Sequence, residues 1–182
     1  QATLYFMPFF IVLSLISIVA GGILALGQSD IKKLIACASI GQMGFATLGV
    51  FLFNQSGMMG ALIQMINHSL TTGALFICLG IVYERTQNRE ISKNSALGSH
   101  MPVFLVFFMI FSFSSFGFPG TNGFIGEFLV LLGAFGKHWL IGVVAITGVV
   151  LAAACMLHLL QRLVWSDSRG VEDKNSEGMK WL

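Results

Sequence analysis

The chain has 182 residues, of which 55% are drawn from AVILMFWYC and only 10% are Asp, Glu, Lys or Arg, against about 25% charged in an ordinary soluble domain. So few charges cannot cover a water-facing surface, and a formal net charge of +2 without a basic patch of interleaved aromatics excludes a nucleic-acid partner. Lipid is therefore the solvent for most of the length, where every backbone N–H and C=O must be satisfied within a helix or a closed barrel. Barrel strands alternate apolar and polar residues over about ten positions, whereas apolar character here runs unbroken for whole helix lengths. The fold class is all-α: a polytopic membrane helix bundle lying in the lipid bilayer.

A helix needs about 20 apolar residues to cross the hydrocarbon core, and five candidates follow one another. Gln1–Leu4 has no basic n-region and no cleavage site follows it, so no signal peptide is expected. The missing initiator Met reads as a piece of a longer chain. The first span is Tyr5–Leu26 and the second Leu34–Phe53, which carries Ser39 and Gln42. The third, Met59–Tyr83, places Gln64, His68 and Thr72 at i, i+4 and i+8 on one helix face, with Asn67 and Thr71 beside them. The fourth apolar run, Val103–Phe135, is too long for one straight helix. It contains Phe118-Pro119-Gly120-Thr121-Asn122-Gly123, where proline removes a backbone donor and Gly and Asn permit non-helical dihedrals, so a break is expected at Pro119, Gly120 and Gly123. The fifth, Trp139–Trp165, ends on His158, Gln161 and Arg162. Residues 1–165 thus form the membrane unit, and 166–182 read as a solvated tail or the start of a following segment.

Alternating the loops between sides puts Lys32, Lys33, Arg85, Arg89, Lys93, Arg162, Arg169, Lys174 and Lys180 on one side and Lys137 on the other. By the positive-inside rule the basic side is cytoplasmic, which starts the chain outside and leaves its tail inside. Tyr5, Tyr83, Trp139 and Trp165 stand at span ends, where amphipathic rings favour the headgroup layer.

Of the eight acidic residues, Glu127 alone falls inside a span, a few residues after the expected break. A charge at mid-membrane costs about 2.5–3.5 kcal/mol on insertion scales, and such residues commonly face a protein or water interior and serve transport. The plainer role is a carboxyl that reaches the headgroups or pins helix packing. His68 fits a proton relay, having two ring nitrogens that donate or accept. It fits equally an interhelical hydrogen bond of about 1–2 kcal/mol, and position alone does not separate the two. Gln42, Gln64 and Thr72 do not titrate at physiological pH, so they at most hold water or orient a partner; His158, near the basic end, suits a capping role better than a proton exit. Cys37, Cys78 and Cys155 lie in apolar runs without CxxC spacing, as packing residues rather than metal ligands or disulfides. No metal, iron–sulfur or flavin site is read from the residues.

Longer stretches carry a resemblance. Gln28-Ser29-Asp30-Ile31-Lys32-Lys33-Leu34-Ile35-Ala36 is similar to the "TDIKRLIAY" signature of the antiporter-like membrane subunits of respiratory complex I (NADH:quinone oxidoreductase) and their Mrp antiporter relatives. Gly60–His68 resembles the family's "GAxxQMxxH", and Tyr83-Glu84-Arg85 with Arg89 its "YERxxxR". Phe118–Phe128 resembles the "LPGxxGFxGEF" of the subunit M (chain 4) branch, whose sister subunits and Mrp proteins carry Lys in place of Glu127. The resemblance implies two inverted five-helix repeats, each with a broken fourth helix, of which this chain is the second. It implies proton translocation driven by remote NADH:quinone electron transfer, with NADH, FMN, iron–sulfur clusters and quinone held by partner subunits and no redox centre here. Glu127 becomes the terminal protonatable residue of a half-channel, with His68 on the polar axis leading to it. The partners implied are the other membrane subunits of complex I and the N-terminal half of the same subunit, in a bacterial inner membrane. Gln42 stands where the family's "SxSHMG" has His, which leaves at most a water-mediated relay there. An Mrp-type antiporter, a membrane-bound hydrogenase subunit and a purely structural membrane scaffold are the competing expectations.

Overall fold

The computed structural model describes residues 2–91 and 101–164, so the expected tail, Lys93 and Trp165 lie outside the described residues. Six helices follow in order: α1 (Ala2–Leu26), α2 (Ile31–Phe51), α3 (Gln55–Thr86), α4 (Pro102–Ser115), α5 (Asn122–Lys137) and α6 (Trp139–Val164). Four of them hold stretches long and apolar enough to cross a membrane, Tyr5–Leu26, Ile31–Phe51, Gln55–Thr86 and Trp139–Leu163. The shorter α4 and α5 divide the fourth run between them, so the expected broken helix is present.

The helices start earlier than their apolar runs because polar side chains cap them. Asp30 is extended and its carboxylate accepts from the backbone N–H of Lys32 and Lys33 at 2.8 and 3.3 Å, so α2 begins at Ile31 rather than Leu34. Asn54 accepts from Gly57 N–H at 2.7 Å, starting α3 at Gln55 rather than Met59. At the far end of α3, Gln87 takes the left-handed conformation (φ 52°) and its N–H returns to Tyr83 O.

The two ends of the bundle are tied differently. At the basic end the α1–α2 turn pairs with the segment after α3: Ile31 N–H donates to Arg89 O and Ile91 N–H to Ser29 O, both at 3.0 Å. The Arg89 guanidinium lies 4.3 Å over the Tyr83 ring, a cation–π contact. At the opposite end Asn54 Nδ2 donates to Gly133 O at 2.7 Å. These pairings place alternate loops at opposite ends, as an up-and-down bundle requires.

Two apolar clusters fill the interior. One, toward the basic end, joins Leu34, Ile35, Leu75, Leu79, Phe108 and Leu159; the other joins Ile18, Phe45, Leu48, Leu52, Val130 and Ala145. On α2 the residues of the first cluster precede Gln42 and those of the second follow it, so a polar layer lies between the two. Large apolar side chains such as Ile66, Leu70, Ile77 and Val103 point outward, which is ordinary where the surroundings are hydrocarbon. There the driving force between helices is close packing and hydrogen bonding rather than expulsion of water.

Candidate functional site

Three polar side chains from three helices meet in that layer. Gln42 (α2), Gln64 (α3) and Glu127 (α5) are 4%, 2% and 3% exposed. Gln64 Nε2 donates to Gln42 Oε1 at 2.5 Å, and both amides neighbour the Glu127 carboxyl. Glu127 Oε1 and Gln64 Oε1 have no hydrogen-bond partner among the described residues. An unpaired polar group in such surroundings is costly. Gln42 also lines a void of ≈ 10 Å³ with Ile18, Gly22, Gly148 and Cys155, room for about one water.

The helix break makes space for the carboxyl. Phe116 to Thr121 leave helical conformation, and two glycines carry the reversal with Gly117 at φ +67° and Gly120 at φ +99°, dihedrals that an L side chain adopts at a cost. A Cβ on Gly117 would overlap Oε2 and Cδ of Glu127, so the carboxyl occupies the side-chain position that glycine leaves empty. Gly126 does the same for Gln64, whose Oε1 and backbone fill the space a Cβ would need. Pro119 and Gly120 lie in the break as expected. Gly123 does not: the extended Thr121 (φ −101°, ψ 163°) restarts the helix at Asn122, and Gly123 lies in the first turn of α5, where a Cβ would overlap the Ser114 carbonyl. Gly117, two residues before the Pro-Gly pair, belongs to the break as well.

The remaining expected residues are not gathered at the carboxyl. Gln64, His68 and Thr72 do share a face, but Gln64 turns inward while half-buried His68 pairs with Thr72, whose Oγ1 lies 3.3 Å from His68 Nδ1. No hydrogen bond joins His68 to Gln64 or Glu127. His158 is half-buried on α6 and makes no hydrogen bond to the cluster. Ser39 bonds its own helix at Ile35 O (2.9 Å). Cys37, Cys78 and Cys155 are free thiols, the latter two buried, and no group of three or more His, Cys, Asp or Glu converges among the described residues.

With this geometry in place, comparison with known proteins is direct. Residues 2–152 match the profile of the family described as NADH:quinone oxidoreductase/Mrp antiporter, TM. The chain is 43% identical over 159 residues to NADH-quinone oxidoreductase subunit M of Rhodobacter capsulatus, covering 87% of this chain and 31% of that protein. It superposes on a chain of respiratory complex I from Thermus thermophilus with a TM-score of 0.88 and 33% identity, covering 91% of this chain and 35% of that one. A chain of the Mrp complex from Dietzia gives a TM-score of 0.84 at 22% identity, over 89% of this chain and 30% of that one, a likeness of fold. The chain therefore spans about a third of the length of the relatives it matches.

Proposed function

The chain belongs to the NADH:quinone oxidoreductase/Mrp antiporter transmembrane family, and from that premise we propose that it forms the second repeat of a subunit M-type component of complex I, carrying protons through the membrane. The observation that carries this reading is the Glu127 carboxyl, 3% exposed, held between two glutamine amides at a helix break. Discontinuous helices at membrane depth commonly mark ion pathways, and a carboxyl is the group there that takes and gives a proton. Gln42 and Gln64 orient the carboxyl. His68 and Thr72 extend the polar axis along α3. His158 lies toward the basic end, which faces the cytoplasm of a bacterial inner membrane.

Moving one charge against 100 mV takes about 2.3 kcal/mol, so the work comes from outside this chain. NADH, FMN, iron–sulfur clusters and quinone belong to partner subunits, and the remainder of this subunit supplies the other half-channel. Cation exchange of Mrp type is the lesser reading, because Glu127 replaces the Lys of those proteins.

The test is Glu127→Gln in the full-length subunit within the assembled complex, with NADH-driven quinone reduction and proton uptake into vesicles measured together. Loss of both with assembly intact is the expected result. Wild-type rates of both would remove the pathway and leave the polar residues as packing elements of a scaffold.

A further inference from the structure

A second polar cluster, at the joint between α4 and α5, has no part in the reading above. Asn122, the first residue of α5, exchanges two hydrogen bonds with Asn67 of α3: Asn67 Nδ2 donates to Asn122 O at 2.6 Å, and Asn122 Nδ2 donates to Asn67 Oδ1 at 3.1 Å. Ser114, one residue from the end of α4, donates its hydroxyl to Asn122 Oδ1. The Ser114 carbonyl in turn accepts from Gly117 N–H at 3.4 Å and lies against Gly123 Cα. One asparagine thus links α3, the last turn of α4 and the first turn of α5, across the break that contains Gly117. Both asparagines fall at positions that the motifs "GAxxQMxxH" and "LPGxxGFxGEF" leave open.

We propose that Asn67, Asn122 and Ser114 form a positioning latch that holds the two halves of the broken helix in register on α3, and so keeps the Glu127 carboxyl in the notch left by Gly117. This rests on the reading of Glu127 as a protonation site. The notch belongs to the α4 side of the joint and the carboxyl to α5, so their fit depends on how the two halves are set relative to each other. Within the break, Phe118 N–H to Phe113 O and Thr121 N–H to Phe118 O are local turns; neither ties the joint to α3. The amide pair does, from the outer face of the bundle, where Asn122 is exposed and Asn67 half-buried.

The experiment uses the full-length subunit in the assembled complex, with Asn67→Ala, Asn122→Ala and the double variant. Ser69→Ala is the control, because the Ser69 hydroxyl bonds its own helix at Met65 O. The expected result is a roughly tenfold loss of turnover per assembled complex in Asn67→Ala, as for a displaced reacting group. A moved midpoint of the pH–rate profile accompanies it, and the double variant loses less than the product of the two single losses, since both singles remove the bond from Asn122 Nδ2 to Asn67 Oδ1. Ser69→Ala keeps the wild-type profile. Faster hydrogen exchange over residues 116–127 in Asn67→Ala reports the loosened joint independently of pumping. Wild-type turnover and pH profile per assembled complex in Asn67→Ala, even with lower stability, overturns the proposal. If Asn67→Ala does not assemble, Asn122→Ala, which keeps the bond from Asn67 Nδ2 to the backbone, is read by the same criteria. Should Glu127→Gln prove fully active, the functional reading fails, and hydrogen exchange alone then decides whether the latch holds the joint.

Discussion

Glycine serves two different ends in the α1–α2 seam and in the α3–α5 seam. Where α1 crosses α2, a Cβ on Gly21 would meet Gly41 N at 2.5 Å, and one on Gly44 would meet Ile18 N and Ser14 O at 3.1 Å. The space is filled by backbone and, at Gly44, also by the apolar Ile18 Cγ1 at 2.8 Å, so these glycines bring two helices together. Around α5 polar side chains share the space with backbone: Glu127 at Gly117, Gln64 with its own backbone at Gly126, and Asn54 with the Gly57 backbone at Gly133. The first seam is built for adhesion. The second houses hydrogen-bonding groups that have no water to turn to, and it is the seam next to the helix break.

Substitutions on the two sides should therefore fail in different ways. The largest effect is expected from Gly117→Ala, which places a methyl on the Glu127 carboxyl and adds about 1–2 kcal/mol of left-handed backbone strain; proton uptake per assembled complex should fall by about 100-fold, measured in vesicles. Gly21→Ala meets backbone that no rotamer change can relieve, at a cost of about 1–3 kcal/mol. It should reduce the yield of assembled complex and its thermal midpoint while turnover per complex stays at wild type. If Gly21→Ala instead abolished turnover in stable complex, the division between adhesive and housing glycines would be wrong. Gln64→Met removes the bond to Gln42 and leaves the Gln42 carbonyl without that donor, so about 1–2 kcal/mol is lost and turnover falls by less than in Glu127→Gln. Thr72→Val, which takes away the hydroxyl beside His68, is the mildest. About 0.6 kcal/mol is typical for such a bond between membrane groups, and a larger fall in proton uptake than in stability would put His68 on the pathway.

The spans and the break were legible because unbroken apolar runs and a Pro-Gly pair act locally. Helix starts were misread by a few residues where Asp30 and Asn54 extend α2 and α3 beyond their apolar runs, since capping depends on a side chain finding a backbone N–H. Glu127 stood out as the lone acidic residue within a span. Gln42 and Gln64 were candidates too, but not as its neighbours, because they come from helices whose mutual rotation is fixed by packing, and three polar residues on one face of α3 gave no reason for Gln64 to turn inward and His68 to stay half-buried. Asn67 and Asn122, 55 residues apart, carry no pairing signal in their spacing. His158 was placed correctly on its helix, but nothing in the sequence says that α6 keeps it away from the carboxyl.

Asn54 and Asn122 together give α5 a mechanical property. Asn54, at the start of α3, grips α5 at Gly133, and Asn67, about 20 Å farther along α3 at 1.5 Å per residue, grips it again at Asn122. A rod pinned near both ends to an antiparallel neighbour can neither slide nor tip without releasing one pin. Glu127 rides between the pins. With α5 held in this way, opening the carboxyl's notch requires α4 to move past a stationary α5, and the Ser114–Asn122 hydrogen bond opposes that movement.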